Sequence, residues 1–397
     1  MSGSLLVAGC VANPSLMGDA KTGDGYRGDE QVAVLLPQSG RYAGAAQALR
    51  DGILAAQGAD PQGRRPRFRF YDSSDPASAP NLLLQAAANG ATMAIGPLQK
   101  EAVTALVASG EVPIPTLALN RAATEAAPPT DLYQFALSPE DEAADAASKA
   151  WANGQRSALL LYPEGRWGDR MAFGFRQAWL ALGGELIGSV IYDPGASDFS
   201  APVAELFARG GEATSTRFLF LVATAGIARQ IWPRVQEYGG GGLSVYSTSH
   251  VYAGGGEADR ITGLGGLYFV DIPWLLAPEP GDPLSRERLQ SSLSGVDNRY
   301  IRLYAMGIDA YALTPRLDWM SQRPGAYLEG KTGRLTLDHK GRVRRELILA
   351  VHGGTGPVRL AQRASPATSV LSARPGAKVT PRLVAAKETG GIVRARP

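Results

Sequence analysis

Short apolar runs alternate with longer stretches whose apolar positions recur every three or four residues, and this two-period pattern predicts most of the chain. Val32–Leu36 is an unbroken apolar run, Pro37–Gly40 interrupts it, and Tyr42–Gln57 follows with Ala and Leu at helical spacing: strand, loop, helix. The unit repeats. Phe68–Tyr71 reads as strand and Ala79–Asn89 as helix, Met93–Ile95 as strand and Lys100–Gly110 as helix, and Thr116–Leu119 as strand. A second series begins after a crossover near Phe135–Pro139. Helices are predicted over Glu140–Ala152, Trp167–Leu182, Phe199–Ala208 and Ala225–Tyr238, with strands over Ser157–Leu161, Glu185–Tyr192, Arg217–Val222 and Leu243–Tyr246. Alternation at this spacing requires parallel sheets covered on both faces by crossover helices, and two such series fit two lobes better than one sheet. Gly265–Ile272 supplies a further strand and a return crossover, and Asn298–Leu313 a long helix. Leu335–Leu337 and Val343–Leu349 flank Asp338-His339-Lys340-Gly341 as a hairpin.

Composition narrows the class. The 397 residues, 45% hydrophobic and 19% charged, allow a sizeable core, and no run approaches the length of a membrane-spanning helix. The formal net charge of +3 hides an asymmetry: Arg359–Pro397 carries eight basic residues against one acidic residue, Glu388. That stretch, rich in Ala, Pro and Gly, is expected to be a disordered basic tail over 351–397. It lacks interleaved aromatics, and the rest of the chain is net acidic, so nucleic acid is not an expected partner. It either scans anionic surfaces or serves as a solubilising extension.

One cysteine excludes an internal disulfide, a CxxC pair and a thiolate cluster, and three histidines leave little for metal chemistry. Cys10 follows Leu5-Leu6-Val7-Ala8-Gly9, and Val-Ala-Gly-Cys resembles a bacterial lipobox, in which the cysteine is acylated and the lipid replaces a cleaved signal as the anchor. Only nine residues precede it, without a basic n-region, so the true translation start is expected upstream of Met1. Residues 1–30 then read as a lipobox remnant and a flexible tether rich in Gly, Asp, Asn and Pro.

Catalytic motifs are missing. Gly52 and Gly58 do not compose a dinucleotide fingerprint, there is no phosphate loop and no nucleophile elbow, and His250, His339 and His352 have no serine or cysteine nucleophile to serve. The run Glu140-Asp141-Glu142 sits where a helix first turn welcomes carboxylates, with Ser138 as cap and Pro139 at the first helical position. Adjacent carboxylates point in different directions around a helix, so no metal site is expected, and no cofactor.

Candidate binding groups lie at the C-terminal ends of the predicted strands, where loops and helix N-termini gather. These are Ser39, Gly40, Gly96, Pro97 and Asn120 in the first series, and Tyr162, Arg166, Asp169 and Ser249 in the second. Arg166 suits a carboxylate and Tyr162 an apolar group. Each has a structural reading beside the functional one: Ser39 as a helix cap, Gly40 and Gly96 as turn formers, Asp169 as a dipole partner. Asp271-Ile272-Pro273-Trp274 marks a second hinge segment, with Pro273 stiffening it and Trp274 anchoring it.

Several segments together resemble the substrate-binding-protein-like domain of the penicillin-binding protein activator family. They are Val34–Ala43, Ile95-Gly96-Pro97-Leu98, Leu117–Asn120, Phe135–Ala143, Gly168-Asp169-Arg170, Ser247-Thr248-Ser249, Asp271–Trp274, Leu303–Ala310 and Gly333–Arg345, in order over about residues 31–350. The resemblance implies an α/β type I periplasmic-binding-protein fold: two αβα lobes with parallel sheets joined by three crossovers around a cleft. Lobe 1 is expected over 31–137 and 271–325, and lobe 2 over 138–270 and 326–350. It implies an outer-membrane lipoprotein, anchored to the bilayer through acylated Cys10, that binds and activates a bifunctional penicillin-binding protein without catalysing a reaction. Val11, after Cys10, offers no acidic inner-membrane retention residue. The alternative is a substrate-binding lipoprotein that delivers an amino acid or other small polar ligand to an ABC transporter. Family members carry a helical-repeat domain ahead of this one, where here a short tether precedes Gln31.

Overall fold

The computed structural model of the chain describes residues 25–211, 216–239, 242–254, 263–293, 296–353 and 356–360. In lobe 1, β1 (Gln31–Leu36), β2 (Arg67–Asp72), β3 (Met93–Ile95), β4 (Thr116–Ala118) and β5 (Leu132–Gln134) form a wholly parallel sheet in the order β2-β1-β3-β4-β5. Helices α1 (Ala43–Ala59), α2 (Ala79–Ala88) and α3 (Lys100–Ser109) make the crossovers. β1 has no solvent face: Val32, Val34 and Leu36 join Leu49 and Ile53 in one core, while Ala33 and Leu35 join Leu83 and Val103 in the other. Burial on both faces is why it reads as a continuous apolar run.

Lobe 2 continues the pattern through α4 (Pro139–Ala152), β6 (Ser157–Pro163), α5 (Arg166–Ala181), β7 (Glu185–Tyr192), α6 (Ser200–Arg209), β8 (Arg217–Leu221), α7 (Ala225–Gly239), β9 (Ser244–Ser247) and β10 (Leu267–Asp271). The chain then returns to lobe 1, where α8 (Ile301–Leu313) packs on α1. Next come β11 (Tyr327–Gly330), β12 (Gly333–Leu337) and β13 (Val343–Glu346), which form a small antiparallel sheet of their own. β14 (Ile348–His352) and β15 (Pro357–Arg359) finish the large sheet of lobe 2, in the order β15-β14-β10-β9-β8-β6-β7, with β14 antiparallel to β10. The chain therefore crosses between the lobes three times, as a type I periplasmic-binding fold requires.

Four details depart from the sequence reading. β5 and β11 were not expected: each is a short strand after a polar loop. The run Val343–Leu349 is not one strand. It divides at Leu347, whose N–H donates to Asp145 of α4 at 3.2 Å, so β13 stays in the small sheet and only Ile348 onward enters lobe 2. The small sheet bears on both lobes, since Lys331 and Thr332 donate backbone N–H groups to Asp309 of α8 at 2.6 and 2.7 Å while Glu346 meets Lys149 of α4 at 3.0 Å. Finally, ordered structure overruns both ends assigned to 31–350. Tyr26, 2% exposed, packs on Tyr311 of α8, and β15 extends the lobe 2 sheet to Arg359 because Val351 and Ala350 supply a free edge. Cys10 and residues 361–397 lie outside the described residues.

Candidate functional site

The groups with the densest chemistry lie on the seam between the lobes, at the N-terminus of α4. Pro139 opens the helix, and the Ser138 hydroxyl accepts the Asp141 N–H at 3.4 Å while donating to Glu140 Oε2 at 2.6 Å. The three following carboxylates diverge. Glu140 turns to Arg170 of α5, whose Nη2 lies 2.8 Å away. Burial alone raises the Glu140 pKa, but the Arg170 and Ser138 hydrogen bonds outweigh it and hold the carboxyl below its usual range. Asp141 takes Arg121 from lobe 1 and Arg344 of β13, each with a contact at 3.1 Å. Glu142, 4% exposed, accepts the Ser249 hydroxyl at 2.7 Å and faces Arg345 at 3.6 Å and His250 at 3.8 Å.

A second knot joins α8 to the end of β10. Arg302 donates from Nε to Asp271 Oδ1 at 2.8 Å, and its Nη2 reaches the carbonyls of Ser249 at 3.2 Å and Tyr252 at 3.0 Å. One lobe 1 side chain thus binds three acceptors of lobe 2. Pro273 begins the single turn Pro273–Leu276, and Trp274 stacks on Tyr304 with ring centroids 5.8 Å apart. Ser138, Pro139, Asp271 and Pro273, the expected hinge positions, lie where α4 begins and where β10 ends.

The strand-end candidates do not form one constellation. Ser39 makes no cap; its hydroxyl and N–H both meet Ser74 Oγ at 3.1 Å. Gly40 is exposed, with open space where a Cβ would stand. Gly96 and Pro97 are buried, and a Cβ on Gly96 would fall 2.1 Å from the Leu35 carbonyl oxygen, so Gly96 is required by packing and by its φ of +101°. Asn120 donates to the Leu98 carbonyl at 3.0 Å and accepts the Arg121 N–H at 2.9 Å. Tyr162 is buried with the Arg176 guanidinium 5.3 Å from its ring centre, leaving no face for a ligand. Ser249 is committed to Glu142. Arg166 and Asp169 stand exposed in the first turn of α5 behind an uncapped Gly165, and Trp167 there meets the His250 ring at 5.0 Å.

Sequence reasoning missed Arg302, Arg345, Glu346 and Asp309, and treated Glu142 only as part of an acidic first turn. One signal was present: Glu142, Asp145 and Lys149 recur along one face of an otherwise Ala-rich helix, and that face is the one turned to the small sheet. Burial pushes Asp145 up to about 6, and Asp309 likewise, despite the donors around both. A carboxyl with a folded pKa above its unfolded value near 4 stabilises the fold as pH falls through about 6 and costs stability above it. Asp145→Asn is therefore expected to flatten the rise in melting temperature between pH 7 and pH 5. An unchanged pH profile would show that Asp145 is ionised throughout.

Relatives place this architecture. The penicillin-binding protein activator LpoA of Serratia proteamaculans is 36% identical over 310 residues, covering 70% of this chain and 44% of its own length. The Klebsiella pneumoniae LpoA is 33% identical over 312 residues, with 70% and 43% covered. The chain thus spans less than half the length of either of these two relatives. Among solved structures, the LpoA C-domain of Haemophilus influenzae, a regulator of PBP1A, superposes with a TM-score of 0.68 at 26% identity, over 84% of this chain and 100% of that one. The Thermotoga maritima leucine binding protein LivK, at 16% identity and a TM-score of 0.51 over 84% and 98%, shares the fold alone. The profile of the LppC putative lipoprotein family matches residues 28–354, and the chain belongs to that family.

Proposed function

We propose that this protein is a non-catalytic regulator of peptidoglycan synthesis, held in the periplasm by acylated Cys10 at the outer membrane, that activates a bifunctional penicillin-binding protein by direct contact. The observation that carries the reading is the likeness to curated activators, 36% identical over 310 residues for the Serratia LpoA, and the Haemophilus LpoA C-domain is matched over its whole length. The seam adds physical support. A receptor for an amino acid needs convergent, unspent partners for an ammonium and a carboxylate, whereas Ser249, Asn120 and Tyr162 are spent on protein groups. The protein surface is then the working part.

The test is to add the full chain, carrying Cys10→Ser for solubility, to the bifunctional penicillin-binding protein of the same organism. The expected result is a crosslinkable complex and a several-fold rise in glycan-strand or peptide-crosslink formation. Recovery of a bound amino acid with lobe closure, and no effect on the synthase, would sink activation and install transport.

A further inference from the structure

We propose that the outer edge of the lobe 1 sheet is a membrane-docking surface that takes the headgroups of anionic phospholipid. Among the described residues β2 pairs only with β1, which leaves its other edge open. The chain enters it as Arg64-Arg65-Pro66-Arg67-Phe68-Arg69-Phe70. Arg65 is used internally, donating to the carbonyls of Asp60 at 2.8 Å and Gly58 at 2.7 Å to close the end of α1. Arg64, Arg67 and Arg69 are exposed and, with Arg50 of α1, form no ion pair among the described residues. Rings hold two of them in place: the Arg50 guanidinium lies 4.2 Å from the Phe70 centroid, and that of Arg69 lies 5.6 Å from Tyr71. The nearby carboxylates are engaged elsewhere, Glu30 by the N–H groups of Arg27 and Gly28 and Asp72 by Gln38 and Ser74. Leu54, one turn beyond Arg50 on α1, is 37% exposed and adds an apolar contact.

Guanidinium groups fork onto phosphate oxygens, and an open sheet edge presents them to a plane of headgroups better than to a single small anion. Position selects the membrane over a soluble acidic partner. Gly28 lies directly on the 61–64 loop, with the site of its Cβ only 2.1 Å from the Gly63 carbonyl oxygen, and Gly25, the first described residue, shares a cavity lining with Arg64. The fourteen residues 11–24 span at most about 50 Å, which keeps this edge within reach of any bilayer holding the lipid. An acyl anchor and a basic patch are two signals that reinforce each other. The proposal rests on the anchoring part of the functional reading and is independent of synthase activation.

Flotation with vesicles tests it. The full chain with Cys10→Ser is mixed with vesicles of equal parts phosphatidylglycerol and phosphatidylethanolamine, or of phosphatidylcholine alone, and compared with a chain also carrying Arg64→Gln, Arg67→Gln and Arg69→Gln. To remove the contribution of the basic C-terminal stretch, the comparison is repeated with the eight Lys and Arg residues of 359–397 changed to Gln. In that background the three substitutions are expected to lower partition onto anionic vesicles by about 100-fold and to leave the melting temperature unchanged. Equal partition with and without the three arginines would overturn the proposal and leave them as guards against edge-to-edge pairing. Equal partition together with lost retention on an immobilised penicillin-binding protein would overturn it in favour of a protein-docking edge.

Discussion

Arg302→Met is expected to lower the free energy of unfolding by about 3–5 kcal/mol, the cost of leaving a buried charge without its partner. Asp271 has no solvent exposure, and its burial already drives the carboxyl above its normal range against the pull of Arg302. Methionine keeps much of the stem's packing but strips Asp271, Ser249 and Tyr252 of a donor at once. Asp271→Asn in the same chain should recover a large part of the loss, because the amide can be buried neutral. Urea titrations of the two single variants and the double variant, followed by tryptophan fluorescence, give the coupling directly. A loss under about 1 kcal/mol for Arg302→Met would mean that water enters the seam and takes over the guanidinium's bonds.

A comparable loss is expected where α1 and α8 cross. A Cβ on Gly52 would stand 2.1 Å from the Tyr304 carbonyl oxygen, and one on Gly307 would stand 2.2 Å from that of Leu49. The contacts are reciprocal and both involve backbone, so no side-chain rotation relieves either one. Gly307→Ala must push the helices apart and open the packing of Leu49, Ile53 and Ile308 around them, at a cost of about 3 kcal/mol. Helix propensity works the other way, favouring Ala over Gly by about 1 kcal/mol, so the measured sign decides whether contact or propensity dominates. A chemical denaturation curve unchanged from wild type would show that the two helices are not in backbone contact. The requirement also gives Gly52 a role that a search for nucleotide fingerprints overlooks.

The two-lobe alternation was legible because buried parallel strands leave continuous apolar runs, as in Val32–Leu36 and Ala158–Leu161, and the helices between them keep helical spacing. β5 and β15 were not, since Leu132-Tyr133-Gln134 and Pro357-Val358-Arg359 mix polar or turn-forming residues with apolar ones, whereas the equally short β3 is the unbroken apolar run Met93-Ala94-Ile95. The break at Leu347 was hidden for another reason: what ends β13 is a hydrogen bond from Leu347 to Asp145, 202 residues away in sequence. The seam shows the same limit. Ser249 and Asp271 were visible at strand ends, but their partners Glu142 and Arg302 lie 107 and 31 residues off, and local pattern carries no record of such pairs. Topology told which loops meet the seam and not which side chains turn inward. Tyr162 illustrates the difference: it occupies the expected strand end, yet Arg176 covers its ring.

The closing strands of lobe 2 set the order in which the molecule can be completed. β10 lies in the middle of its sheet only once β14, about eighty residues later, has come alongside, and in between the chain must build α8 onto lobe 1 and fold the small sheet. During folding, lobe 1 has a nearly contiguous nucleus, while lobe 2 holds an open, apolar strand edge until nearly the last described residues arrive. A chain ending before Ile348 would keep every group of the α4 first turn and still expose that edge to other chains. Neither lobe corresponds to one uninterrupted stretch of gene, so exchange or duplication of a single block cannot pass either lobe intact to another protein.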